Sequence, residues 1–418
     1  MGVAIRPFLD LLPYRLDQAL IGSYLRKARI RHRRSRPIFA FPQPSTGPRR
    51  LFVDMSVISR HDAGTGIQRV VRALALSLID EVSEGWDVRF VAATRRKAYC
   101  RISWPDPRTP VHSDGMEGRP GDVFLGLDYS LDAVRHHASQ LACFRRSGGK
   151  LWFLIHDLLP LERPDWFGRN TEIRYKAWLD ILAGVADGFL CNSDHTEVQL
   201  RCALSNDYGL TAGYATKVLP MGHRILESVR HCEAGEVCDL PKRPGTSNPF
   251  FLMVGTLEPR KGHAEVITAF EELWQAGMQE GLVMVGRMGW QVENLRDRIL
   301  MHPLYGEKLF WFDDVDDPEL ERMYAACQGS IIASYAEGFG LPLIEALGHG
   351  KPVLARDLAV FRPHAGNGAC YFPADANTQV LAQCVRQWAE DVRSGRIMVI
   401  SPGTSWHQSA RDLISTIT

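Results

Sequence analysis

Glu337 and Glu345 stand eight positions apart, with Gly338 and Gly340 between them and Pro342 in the same stretch. Ahead of them, Ser330–Ser334 is a short apolar, β-branched run that reads as a buried strand. Pro342 suits the first turn of a helix, where its missing N–H costs nothing. Gly350 followed by Pro352 supplies the stop. The spacing therefore predicts a strand, a glycine loop and a short helix. That layout aims open backbone N–H groups and the positive helix end at an anion. Glu337 in the loop and Glu345 in the helix place carboxylates where they can reach hydroxyls at the two ends of a phosphate-bearing ligand. A sugar nucleotide has that chemistry.

A second chemical segment lies upstream. Phe251–Val254 reads as a strand, and Gly255-Thr256-Leu257-Glu258-Pro259-Arg260-Lys261-Gly262-His263 follows it. Two adjacent cations in a loop after a strand can neutralise a diphosphate, Arg through its planar fork and Lys as a point charge. In isolation the same pair is an ordinary solvated basic loop. Taken together, the E-x7-E segment and the Arg-Lys loop resemble retaining glycosyltransferases of the GT-B fold, in particular glycosyltransferase family 4. The resemblance is strongest over Phe250–Phe372, weaker over Leu51–Gly222, and not evident in the first forty residues.

The resemblance implies several roles. Arg260 and Lys261 would stabilise the donor diphosphate, Glu337 would contact the donor sugar, and Glu345 would bind the nucleotide ribose. Gly338, Phe339, Gly340 and Leu341 would form the loop and helix start against the donor. Leu151–Asp157 ends a buried strand in a histidine and an aspartate. His156 resembles the family's first-domain histidine, which implies a hydrogen bond near the transferring sugar, while Asp157 orients its loop. A lone histidine is otherwise more often structural. Gly64-Thr65-Gly66 resembles the family's glycine-rich loop beside donor phosphates and acceptor, but departs from its commoner Gly-Gly form, so Thr65 and Gln68 are specificity positions in doubt. Asn192-Ser193 ends a further strand and is expected to line the site. Asp313-Asp314 and Asp316-Asp317 precede a helix and read as cap and dipole residues, not metal ligands. The family implies no metal and no cofactor; the nucleotide diphospho-sugar is a co-substrate.

The elements that must position these residues alternate strand and helix. Leu51–Val57, Val88–Ala92, Asp122–Leu127, Leu151–Ile155, Gly188–Cys191 and Lys217–Leu219 read as strands, and Gly66–Ile79 has helical spacing. Phe251–Val254, Leu282–Val285, Leu309–Phe312, Ser330–Ser334 and Pro352–Ala355 repeat the pattern, with a helix at Glu265–Gln275. Such alternation implies parallel sheets covered by helices on both faces. The expected fold is α/β: two Rossmann-like doubly wound domains facing a central cleft, with an N-terminal helical extension. The expected divisions are 1–48, a basic amphipathic extension; 49–222, an acceptor domain; 223–248, a linker; 249–400, a nucleotide-sugar domain; and 401–418, a helix returning to the first domain.

Leu9, Leu12, Leu16, Leu20 and Tyr24 form an apolar helical stripe, and Arg26, Lys27, Arg29, Arg31, Arg33, Arg34 and Arg36 follow. Two readings stay open: an interfacial helix bringing residues 1–36 to an anionic membrane, or a helix packed on the enzyme with a solvated basic linker after it. A formal net charge of +1 argues against a nucleic-acid binder. Nine scattered cysteines, no apolar run of membrane-spanning length and no secretory signal point to the cytoplasm, with peripheral membrane contact as an option. The wider pattern, including Phe124–Asp128 and His156–Pro160, resembles bacterial transferases that build O-antigen or capsule chains, often with mannose. The partners implied are a nucleotide-sugar donor and a saccharide or lipid-linked saccharide acceptor. A nucleotide-sugar 2-epimerase and a non-catalytic assembly subunit are the rival readings.

Overall fold

The computed structural model describes residues 23–35, 47–62, 64–81, 85–106, 114–168, 170–224 and 248–418. These divide into two compact units, one of residues up to 221 together with 407–418, the other of residues 222–406. Each has its own sheet.

The first sheet contains β1 (Arg49–Asp54), β2 (Trp86–Ala92), β3 (Cys100–Arg101), β4 (Val123–Gly126), β5 (Lys150–Ile155), β6 (Gly188–Cys191) and β7 (Ala215–Val218). Its order is β3-β2-β1-β4-β5-β6-β7, parallel except for β3, which pairs antiparallel with β2. Leu151 to Ile155 are all buried, as a strand covered on both faces requires. Helix Gly66–Glu81 turns Val70, Val71, Leu74 and Leu78 onto the sheet. Helix Asp194–Tyr208 starts where Ser193 accepts the Thr196 N–H at 3.1 Å and stops at left-handed Gly209. The C-terminal helix Trp406–Ile417 is tied into this unit by Ser409, which donates to the Pro220 carbonyl at 2.6 Å, and by Arg411 against Glu81 at 2.8 Å.

The second sheet contains β8 (Phe250–Val254), β9 (Gly281–Val285), β10 (Leu309–Phe312), β11 (Gly329–Ile332), β12 (Val353–Arg356) and β13 (Ala369–Phe372). Its order is β10-β9-β8-β11-β12-β13, all parallel. Helix His263–Gln275 buries Val266, Ile267, Phe270 and Leu273 on the core of this sheet. The same topology appears twice: the chain winds outward one way from a central strand, returns, and winds the other way. The return falls between β1 and β4 in one sheet and between β8 and β11 in the other. Doubly wound sheets hold ligands at the carboxyl ends of strands at this switch point.

The basic cluster corrects the sequence reading. Arg26 to Arg34 belong to a helix, Ser23–Arg34, and do not form a linker. Ile30 is buried in the first unit's core, and Arg26 pairs with Asp180 at 3.5 Å. Arg34 donates to the carbonyls of Ala183 (2.9 Å) and Ala186 (3.0 Å), at the end of helix Thr171–Val185, and to that of Gly213. A guanidinium there satisfies carbonyls that the helix leaves open and complements its negative end. The apolar stripe Leu9 to Leu20, Arg36, and most of the 223–248 segment lie outside the described residues.

Candidate functional site

After β8 the chain makes one tight turn, Pro259–Lys261, ended by Gly262 at φ +70°. A Cβ at Gly262 would lie 2.5 Å from the Ala333 carbonyl oxygen, so glycine lets this loop close against the end of β11. The Tyr335 N–H donates to the Arg260 carbonyl at 2.8 Å and ties the two strand ends together. The side chains then converge. Lys261 Nζ lies 2.5 Å from Glu337 Oε1, and Arg260 Nη1 lies 3.3 Å from Glu337 Oε2. Ser334 donates to Glu337 Oε1 at 2.6 Å, and Glu258, itself buried, holds Arg260 from behind at 2.7 Å.

Burial alone would raise the Glu337 carboxyl, but the Lys261 ammonium and the Arg260 guanidinium outweigh it and lower it to about 2. The carboxylate is therefore ionised throughout the ordinary pH range and orients both cations. His263, at the start of the next helix, is pushed down to about 3 by burial and by Lys261, so its ring stays neutral. Both Glu337 oxygens are engaged, Oε1 by Lys261 and Ser334 and Oε2 by Arg260.

Gly340 (φ +87°) opens helix Leu341–Gly348, and a Cβ there would strike the Phe361 ring at 2.2 Å. Gly338 and Leu341 are buried and Phe339 is half-buried. Glu345, one turn in, is 1% exposed and accepts a hydrogen bond from the Tyr324 hydroxyl at 3.0 Å. Tyr324 stacks on His349, ring centroids 5.2 Å apart. Beside β11, buried Arg356 donates to the Ala333 carbonyl (3.1 Å) and the Ala374 carbonyl (2.7 Å), with the Tyr335 ring 4.1 Å from its guanidinium carbon. Tyr324, Arg356 and Tyr335 escaped the sequence reading, since each acts through a partner distant in sequence. Asp316 caps the helix Asp317–Ala326 by accepting the Glu319 N–H at 2.9 Å. No group of His, Cys, Asp or Glu suited to a metal occurs among the described residues.

The carboxyl end of the first sheet has different contents. Asp54, at the end of β1, is buried and accepts from Ser56 N (2.9 Å), Ser56 Oγ (2.5 Å), Ser130 Oγ (2.7 Å) and Tyr99 Oη (3.1 Å). His156, after β5, lies 2.8 Å through Nε2 from the Leu127 carbonyl. Because a carbonyl can only accept, Nε2 carries the proton and Nδ1 is an acceptor. Burial of the ring pushes its pKa down to about 4, so it is neutral at neutral pH. Asn192, after β6, donates through Nδ2 to the His156 carbonyl at 2.7 Å. Asp157 accepts the Leu159 N–H at 3.1 Å, which orders the turn after the histidine. In the glycine loop, the Gly64 N–H donates to Asp62 at 3.0 Å, and Gln68 accepts from both Thr65 N and Thr65 Oγ1 at 3.3 Å. Gly66 begins the helix that follows.

Comparison with known proteins supports a reading of this architecture. Residues 241–398 match the family model of glycosyl transferases group 1. The serotype-specific mannosyltransferase WbdA of Escherichia coli is 33% identical over 355 residues, an alignment covering 81% of this chain and 42% of that protein. The chain thus spans under half the length of the curated relatives it matches most extensively. Among solved structures, sucrose-phosphate synthase from Thermosynechococcus elongatus superposes with a TM-score of 0.57 at 18% identity, over 88% of this chain and 94% of that one. HepE of Anabaena, solved with UDP and glucose, gives 0.55 at 16% identity, over 88% and 99%. These likenesses show the fold, the α/β GT-B class with two parallel sheets. Residues 241–398 are a glycosyl transferases group 1 domain.

Proposed function

We propose that this protein is a retaining, metal-independent glycosyltransferase of family 4 that moves mannose from a nucleotide diphospho-sugar to a saccharide or lipid-linked saccharide. Cell-surface polysaccharide synthesis is the process that the mannosyltransferase likeness favours. The observation that carries the reading is the cation pair Arg260 and Lys261, held in place by Glu337 at the β8–β11 switch point. In this reading the second unit binds the donor. Its diphosphate rests on Arg260, Lys261 and the N–H groups of Gly338 to Leu341, and its ribose on Glu345. Binding would draw the two cations from Glu337 toward phosphate and leave that carboxylate able to meet the sugar.

The first unit presents the acceptor, with His156 beside the transferring sugar and Gly64-Thr65-Gly66 bordering the donor. As the acceptor oxygen bonds to the anomeric carbon, the bond from that carbon to the diphosphate breaks, and the acceptor's proton passes to the departing diphosphate. Cations and the helix end stabilise the growing negative charge, as a divalent ion would elsewhere. No helix among the described residues is long and apolar enough to cross a membrane. Peripheral contact with the inner face of a membrane through residues 1–36 suits a lipid-linked acceptor; Arg31 is exposed, whereas Arg26 and Arg34 face inward.

The test is a thermal-shift panel of GDP, UDP, ADP, CDP and dTDP with their sugars. Ligand at about a hundred times its dissociation constant adds roughly 2.7 kcal/mol. A shift with none of them would sink the proposal. NMR of the product's anomeric proton should show an α linkage from an α donor; a β linkage would overturn retention. An epimer formed from donor alone would instead favour an epimerase.

A further inference from the structure

Three adjacent strands of the first sheet, β4, β5 and β6, run on into Asp128, His156 and Asn192 respectively. Paired registers Gly126↔Phe153 and Ile155↔Cys191 bring the ends of these strands to one edge. Asp128 is 6% exposed and Asn192 7%. Asp128 Oδ1 accepts the Tyr129 N–H at 2.6 Å, whereas Oδ2 is buried with no hydrogen-bond partner among the described residues. Asn192 Oδ1 is likewise buried without a partner. Its orientation is fixed, because Nδ2 must be the atom that faces the His156 carbonyl.

A buried polar atom left unsatisfied is costly, and natural proteins keep few of them. Two on one edge, at the strand ends where this fold class holds ligands, call for a donor that the chain itself does not supply. Both atoms are acceptors. Phosphate oxygens, acceptors themselves, cannot satisfy them. Hydroxyls can. Neighbouring strands lie about 4.8 Å apart, so β4 and β6 are separated by roughly 10 Å, which matches the reach of a sugar ring with its substituents.

We propose that Asp128 Oδ2 and Asn192 Oδ1 form a saccharide subsite, each accepting a hydrogen bond from a ring hydroxyl of the acceptor sugar. The proposal rests on the glycosyltransferase reading and adds to it the residues that read the sugar. Burial, with Asp54 and Asp62 nearby, also pushes the Asp128 carboxyl up to about 6, which marks a carboxylate in want of a donor.

The probe is methyl α-mannopyranoside, followed by saturation-transfer NMR on the full chain, with GDP thermal shift run in parallel. Wild type should bind the mannoside. Asp128→Asn, which replaces an acceptor by a donor in the same shape, and Asn192→Leu should each weaken it about tenfold or more, the usual effect of losing a well-made hydrogen bond to a charged or buried group. Nucleotide shifts should persist in both variants, which shows the second unit intact, and an unchanged circular dichroism spectrum with a ligand-free melting curve like wild type's establishes that the first unit folds. Monodeoxy mannosides sharpen the test: one hydroxyl whose removal weakens binding to wild type should make no difference to Asp128→Asn. A merely structural aspartate would not produce that match. If the variants instead leave mannoside binding intact but abolish the difference between GDP-mannose and GDP, the hydroxyls read belong to the donor, and assignment to the acceptor is overturned. Unchanged binding in both assays, or no mannoside signal from wild type that still binds nucleotide, overturns the subsite and leaves the nucleotide reading standing.

Discussion

The two sheets share one strand order and offer opposite chemistry at their carboxyl ends. Around β8 and β11 the groups that can donate are Arg260 and Lys261, held by Glu258 and Glu337, and the open end of helix Leu341–Gly348. Around β4, β5 and β6 they are Asp128, neutral His156 and Asn192, and Asp128 Oδ2 and Asn192 Oδ1 are acceptors left without a partner among the described residues. Topology selects where a ligand can sit; side chains select what it is. An anion fits the second edge and a neutral polyol the first. That division of labour is what a transfer between a charged donor and an uncharged acceptor needs.

The largest effect expected from breaking the contrast is at the cations. Negative charge accumulates on a leaving diphosphate, so Lys261 and Arg260 gain most in the transition state. Lys261→Ala and Arg260→Ala should each lower kcat by about 10²–10³, or roughly 3–4 kcal/mol, with smaller changes in donor KM. Arg260→Lys should not restore full rate, since it loses the fork that now spans Glu258 and Glu337. Steady-state kinetics decide this. Turnover within about threefold of wild type would mean that this loop does not assist the leaving group.

Acid sensitivity should also divide the units. Glu337 is lowered to about 2, so its contribution is present above the usual carboxylate range and lost as pH falls toward 2. His263 is lowered from 6.5 to about 3, so folding favours its neutral form, and stability is lost as pH falls between those values. In the first unit His156, lowered to about 4, acts in the same direction, but Asp128, raised to about 6, opposes it: its protonation favours the fold as pH falls through 6. The two largely offset each other between pH 6.5 and 4. Melting temperatures followed from pH 7 to 4 should therefore fall less steeply in His263→Gln and more steeply in Asp128→Asn. Parallel curves for all three proteins would show that these groups do not set the acid response.

A smaller effect should come from the loop that brings the cations to Glu337. Gly262→Ala must accommodate both φ +70° and a contact of 2.5 Å with the Ala333 carbonyl. A cost of about 1–3 kcal/mol in stability is expected, with loss of nucleotide binding because Ala333 leads directly to Ser334 and Glu337. Chemical denaturation and GDP thermal shift measure the two parts. Full nucleotide affinity in a destabilised variant would separate the loop's packing from its chemistry.

Much of this was legible in the chain. Long apolar runs bounded by turns revealed most strands, and the motif residues at Arg260–Lys261 and Glu337–Glu345 were visible as residue types at spacing. β13 was missed because Ala369–Phe372 has no β-branched residue and is half-buried at its two central positions, Cys370 and Tyr371. β3 was missed because its two residues gain strand geometry only from pairing with β2. Pairing of Arg260 and Lys261 with Glu337 depends on β8 and β11 being neighbours, which no local pattern states. The arginines of Ser23–Arg34 looked like a solvated run because the carbonyls of Ala183 and Ala186, which Arg34 meets, lie about 150 residues away, and Asp180, which Arg26 meets, is as remote. Asp128 appeared only within a resembling segment, since an unsatisfied oxygen is a property of packing.

The smallest expected effect concerns Tyr324, which separates ribose recognition from charge recognition within the second edge. Its hydroxyl lies 3.0 Å from Glu345 Oε2 and 3.5 Å from the Pro342 carbonyl, so the proton goes to the nearer acceptor. Glu345 is 1% exposed, and a carboxylate that deep depends on such donors to hold one rotamer. Tyr324→Phe removes the donor but keeps the ring stacked on His349. The loss should be about 1 kcal/mol, seen as a rise of roughly fivefold in nucleotide Kd with kcat almost unchanged, because ribose contacts are alike in ground and transition states. Discrimination between GDP and 2′-deoxy-GDP or 3′-deoxy-GDP should shrink in the variant, since a loosened carboxylate no longer meets the ribose hydroxyls at fixed distance. Lys261→Ala should leave that discrimination intact while weakening both nucleotides. If Tyr324→Phe preserves both affinity and discrimination, Glu345 is held by its other contacts and its bond to Tyr324 has no part in reading the nucleotide.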